Sequence, residues 1–72
     1  MAKIEVKSEI TGTVWQLKAK PGDKVADGDT LLVIESMKME IPIESPIAGV
    51  LRRIDVAEGD SVNEGQILAV IG

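Results

Sequence analysis

No cysteine and no histidine occur in this chain of 72 residues, phenylalanine and tyrosine are missing too, and Trp15 is the sole aromatic residue. Without cysteine there is no disulfide, no thiolate zinc site and no cysteine nucleophile. Without histidine the commonest general base and the commonest metal ligand are gone. No catalytic residue and no metal ligand set is therefore expected, and the carboxylates scattered over turns do not make an active site. Domains this short often draw on a disulfide or a metal to supplement a small core. Here apolar burial and turn chemistry must carry the fold. Basic residues are also few: eight Lys and Arg stand against twelve Asp and Glu, a net charge of −4. Nucleic-acid binding needs basic patches and often aromatic platforms, so no nucleic-acid partner is expected. The longest apolar run, Ile67 to Ile71, is far too short to span a bilayer. Met1-Ala2-Lys3-Ile4-Glu5 has charge where a secretory signal would be apolar. No membrane partner is expected, and the cytoplasm is the expected location, which the lack of cysteine fits.

What is present is a repeat. Shifted by 37 positions, the sequence matches itself without gaps. Ser8 falls on Ser45, Ile10 on Ile47, Gly12 on Gly49, Gly22-Asp23 on Gly59-Asp60, and Val25 on Val62. Gly28 falls on Gly65, Leu31 on Leu68, and Val33-Ile34 on Val70-Ile71. Two copies are too few for a solenoid. They read as halves of one domain, residues 1–72, related by a pseudo-two-fold axis.

Each half shows strand signals and no helix signal. Lys3 to Lys7 alternates strictly between charged and apolar residues. Thr13–Leu17 and Val50–Ile54 are short and apolar-rich, and Leu31–Ile34 and Ile67–Ile71 are β-branched runs of buried-strand length. Pro21-Gly22-Asp23, Asp27-Gly28-Asp29, Glu58-Gly59-Asp60 and Asn63-Glu64-Gly65 separate them as turns. Asp27-Gly28-Asp29 falls far short of a calcium-binding loop and is read as one of these turns. Pro42 and Pro46 cannot donate to a ladder and belong at an edge or strand end. Trp15 aligns with Arg52, so its site tolerates charge and is expected to be only partly buried. The predicted fold is all-β: a flattened β-barrel of two small antiparallel sheets.

The halves meet at Glu35-Ser36-Met37-Lys38-Met39-Glu40. The spacing predicts a tight hairpin with Lys38 at or beside its tip. None of the usual turn formers stands between Ser36 and Met39, and a broken local rule marks a functional site. A plainer reading puts Met37 and Met39 in the core of a strand and leaves Lys38 incidentally in solvent. The barrel would then be an unmodified structural or interaction module.

These residues, with Ser45-Pro46, Gly49-Val50, Gly59-Asp60, Val62, Gly65 and Leu68, resemble the biotinyl domain of biotin carboxyl carrier proteins. That domain belongs to the wider biotinyl/lipoyl attachment family, and the resemblance runs from about Ile4 to Ile71. It implies a carrier that is not itself an enzyme, with biotin joined to Lys38 through an amide bond. It also implies partners: a biotin protein ligase, a biotin carboxylase and a carboxyltransferase. Glu35, Met37 and Met39 would help the ligase recognise the tip, while Glu40 reads as a solvated charge. The best-known carriers insert a protruding thumb in the first half. Here Ala19-Lys20-Pro21-Gly22 connects directly, as in thumbless biotinyl domains and lipoyl domains. The chain thus resembles a stand-alone, thumbless attachment protein or an excised domain, expected to be monomeric. The direct connection keeps a second carrier in view, with lipoate on Lys38, a lipoate ligase as partner and a 2-oxo acid dehydrogenase to serve.

Overall fold

The computed structural model describes residues 3–72; Met1 and Ala2 of the charged N-terminal stretch lie outside them. Eight strands follow in order: β1 (Ile4–Lys7), β2 (Gly12–Leu17), β3 (Lys24–Val25), β4 (Thr30–Ser36), β5 (Met39–Glu44), β6 (Gly49–Ile54), β7 (Ser61–Val62) and β8 (Ile67–Ile71). All pairings are antiparallel. They form two four-stranded sheets, β1-β8-β6-β3 and β5-β4-β2-β7, as expected for a flattened barrel-sandwich. The Asp27–Ile34 stretch is turn and strand, with no helix.

The inward positions of both sheets meet in one core. Val14, Leu31, Leu32, Ile34, Leu51, Leu68 and Ile71 are sealed from solvent within it. Burying side chains of this size stabilises by about 1.5–3 kcal/mol each. Strict alternation would point one of Leu31 and Leu32 outward. A bulge between Thr30 and Leu32 lets both point inward.

The two-fold repeat is visible bond by bond. Gly22 N–H donates to Leu51 O, and Gly59 N–H donates to Val14 O. Leu51 N–H donates to Asp23 O, and Val14 N–H to Asp60 O. Gly28 donates to Ser45 O as Gly65 donates to Ser8 O. The Ser8 hydroxyl donates to Ile10 O, and the Ser45 hydroxyl to Ile47 O, both at 2.6 Å. Each pair is one bond repeated 37 residues on. Several of these bonds join one half to the other, and β3 pairs with β6 while β7 pairs with β2. The halves are therefore interlocked rather than stacked.

The turns follow the sequence reading. Gly22, Gly28, Gly59 and Gly65 all have positive φ, between 86° and 96°, a region that costs other residues a Cβ clash. The Asp29 carboxylate accepts from Ala26 N–H at 2.8 Å, so it closes its own turn. Trp15, in the bulge of β2, is 48% exposed, which agrees with its alignment to Arg52. No helix among the described residues is long and apolar enough to cross a membrane.

Candidate functional site at the β4–β5 hairpin

Ser36 pairs with Met39, so the turn between β4 and β5 contains two residues, Met37 and Lys38. Both have left-handed backbones, with φ of 52° and 66°. They are the non-glycine residues with positive φ among those described. A two-residue hairpin turn of type I′ demands that geometry, because its twist matches the flanking strands. Asparagine or glycine adopts it readily. For Met and Lys it costs on the order of 1–2 kcal/mol each. The chain keeps that cost at the one place where the repeat gives no structural reason for the residues.

The hairpin places Lys38 at the tip, exposed to solvent. Among the described residues a single ion pair forms, between exposed Arg53 and Asp55, so Lys38 has no carboxylate partner. The Asp55 hydrogen bond and charge raise the Arg53 guanidinium above its ordinary pKa, and that group is cationic in any case. Met37 is 93% exposed and Met39 62% exposed. The plainer reading, with both methionines in the core, is thereby overturned. Two exposed thioethers flank one unpaired ammonium, a flexible and polarizable surface.

Below the turn, Glu35 pairs directly with Glu40, and both are exposed. With Ser36–Met39 as the hydrogen-bonded pair that closes the turn, alternation makes Glu35–Glu40 a close, non-hydrogen-bonded pair, with Cα atoms about 4.5 Å apart. Like charges directly opposite destabilise a sheet. Glu40→Gln should therefore stabilise the domain by about 0.2–1 kcal/mol at low salt, with the gain shrinking as salt screens the pair. Thermal unfolding at two ionic strengths checks it. The same alternation turns the missing donor of Pro42 away from β4, toward the open edge.

The hairpin rests on the loop before β2. The Ser36 hydroxyl donates to Thr11 O at 2.9 Å. A Cβ on Gly12 would meet Glu35 O at 2.5 Å and Ile34 Cγ2 at 2.8 Å. Gly12 is thus required by close packing, not by its backbone angles. In the sequence Gly12 stands out only as a repeat match to Gly49, Ser36 only as a member of the hairpin motif, and Thr11 not at all. Two glycines repeated at strand starts, outside any turn, were the available signal.

β1 runs from the contact between Lys3 and Gly72 to this same loop, so that contact and the loop lie at opposite ends of β1. A groove of about 880 Å³ lies elsewhere, between edge strands β1 and β5. Glu5 and Pro42, Val6 and Ile43, and Lys7 and Glu44 line it as repeat-related pairs, which puts it on the pseudo-two-fold axis. It does not include Lys38. The groove is where two sheet edges diverge, and the broken turn rule and the exposed amine belong to the hairpin. No group of three or more carboxylates able to hold a metal occurs among the described residues.

Fold and tip together define a class: a small carrier domain that exposes a lysine on a hairpin and is not itself an enzyme. The chain belongs to the biotin/lipoyl attachment family; the family model described as "Biotin-requiring enzyme" matches residues 2–71. A biotinylated protein TB7.3 homolog from Mycolicibacterium smegmatis is 46% identical over 39 residues, 54% of this chain and 55% of that one. The match thus spans about half the length of that relative. Among solved structures, urea carboxylase from Kluyveromyces lactis contains a region that superposes with a TM-score of 0.95 at 35% identity. That match covers 100% of this chain and 6% of the carboxylase. The lipoyl domain of the 2-oxoglutarate dehydrogenase complex from Azotobacter vinelandii superposes with a TM-score of 0.81 at 28% identity, covering 96% of this chain and 95% of that domain.

Proposed function

We propose that Lys38 is the attachment point of biotin and that the chain carries a carboxyl group between the active sites of a biotin carboxylase and a carboxyltransferase. The observation that carries this reading is the exposed, unpaired Lys38 amine on a strained turn between two exposed methionines. These residues fit an attached acyl chain: the amine is unobstructed and no neighbouring carboxylate holds it. Similarity to a biotinylated protein and to a region of a urea carboxylase supports the choice of group.

Lysine amines are almost wholly protonated at neutral pH, so a biotin protein ligase must orient Lys38 and help to remove a proton. The neutral Nζ then attacks the carbonyl of an acyl-adenylate. The amide C–N bond forms as the acyl–phosphate bond breaks, AMP departs, and the amine proton passes to the ligase or to water. The other lysines are passed over because they lie elsewhere on the barrel; selection is by geometry. Once attached, biotin supplies the ring nitrogen that carries the carboxyl group. The domain keeps that arm at high local concentration, of order mM for a short flexible tether. Glu35, Met37 and Met39 border the amine and are the side chains a ligase would read.

A lipoyl carrier is the second reading, favoured by the full-length superposition on a lipoyl domain. Intact mass with peptide mapping, on protein from its native host, separates the two. A biotin increment on Lys38 is expected, and Lys38→Arg should remove it completely, since a guanidinium stays charged. A lipoyl increment would move the function to acyl transfer for a 2-oxo acid dehydrogenase. No increment, even after incubation with both ligases and ATP, would leave a structural module.

A further inference from the structure

We propose that Ser36, Thr11 and Gly12 form a clamp that positions Lys38 for acylation, with Ser36 as the positioning residue; the inference rests on Lys38 being the modified residue. Ser36 belongs to the last strand pair before the turn, two residues from Lys38. Its hydroxyl donates to the carbonyl of Thr11 at 2.9 Å. The Thr11 hydroxyl in turn accepts from Glu64 N–H at 3.3 Å, which ties the same loop to the turn before β8. On the other side Gly12, lacking a Cβ, lets Ile34, Glu35 and Ser36 pack directly on its backbone. The hairpin base is therefore held by a hydrogen bond and by close packing at the same level of the strand.

The repeat supplies an internal control. The residue equivalent to Thr11 is Ala48, which has no hydroxyl, and no bond equivalent to the one from Glu64 forms in the other half. At Gly49 the packing is looser: a Cβ there would meet Ile71 Cγ2 at 3.0 Å and the backbone of Gly72 no closer than 3.8 Å. The second half thus builds the same strands and turns without a hydroxyl at the position of Thr11, and the Thr11 contact occurs at the end that bears Lys38. A ligase docked on the barrel must place Nζ within about 3–3.5 Å of the acyl carbon, and a misplacement of about 1 Å can cost on the order of a hundredfold in rate. Rotation of the hairpin at Ser36 would pass directly to the tip.

Steady-state kinetics of ligase-catalysed acylation test this, with intact-mass readout, on the full chain. Ser36→Ala should lower kcat on the order of tenfold and leave KM for the protein nearly unchanged, because docking on the barrel is intact. Ser36→Thr, which keeps a hydroxyl, should restore the rate. Direct acylation of Lys38 by a soluble N-hydroxysuccinimide ester, followed by peptide mapping, should run equally fast in wild type and Ser36→Ala, since that reaction needs exposure and not position. A wild-type kcat in Ser36→Ala overturns the clamp. So does an ester reaction altered as much as the enzymatic one, which would mean a loosened hairpin rather than a misaimed one. A wild-type chain that takes a group from neither ligase overturns the reading of Lys38 itself, and the clamp with it.

Discussion

Replacing Met37-Lys38 by Asn-Gly should raise the stability of the domain by about 1–3 kcal/mol while abolishing attachment. Both positions are left-handed, and each costs a residue with a bulky Cβ on the order of 1–2 kcal/mol. Asn-Gly is the sequence most readily accommodated by a type I′ turn. Part of the gain is offset because glycine loses more freedom on folding. In a domain of this size each kcal/mol corresponds to roughly 4–8 °C in Tm, so the shift is readable by thermal unfolding. The variant loses the Lys38 amine, and intact mass after incubation with ligase should show no increment. Met37→Asn alone separates the contributions. It keeps Lys38 and should take about half of the stability gain. A fall in its acylation rate would show that a ligase reads the Met37 side chain, beyond the turn that Met37 helps to form. An unchanged Tm in the double variant would mean that the left-handed turn carries no strain, and would remove the main physical sign that the tip serves function.

The tip was legible in sequence because several signals converged on it. The repeat made Lys38 conspicuous, and the lack of a turn former between Ser36 and Met39 set this turn apart from the others. Alternating, apolar-rich or β-branched runs gave β1, β2, β4, β6 and β8 to within a residue or two. β3 and β7 are two residues each, too short to carry any periodicity, and they form only because the opposite half offers an edge to pair with. β5 was anticipated only by its start, since Pro42 interrupts its pattern; the register shows that the missing donor faces away from β4. The clamp joins residues 25 positions apart, and a hydroxyl reaching a carbonyl leaves no trace in composition or spacing. The interlock of the halves was equally hidden. A repeat tells that two units are alike, and only pairings between the halves, such as β3 with β6, β7 with β2 and β1 with β8, tell that they exchange strands.

That interlock gives the second large effect, Leu31→Ala and its repeat equivalent Leu68→Ala. Both leucines are fully buried in the shared core. Truncation of a buried Leu removes its transfer free energy and leaves a cavity, together about 2–5 kcal/mol, a large share of the 5–15 kcal/mol that holds typical domains. The two costs should be similar, because the repeat gives each leucine an equivalent surrounding. The cooperativity distinguishes an interlocked domain from two stacked halves. Trp15 lies in the first half and is the single tryptophan, so its fluorescence reports on that half alone, whereas circular dichroism reports on all strands. In Leu68→Ala both signals should shift together to the same lower midpoint, because the two halves share one core and pair β2 with β7 and β6 with β3. A Trp15 transition that stays at the wild-type midpoint while the dichroism falls early would mean that the first half folds by itself. The hairpin bearing Lys38 would then need only its own half for support, instead of the whole barrel.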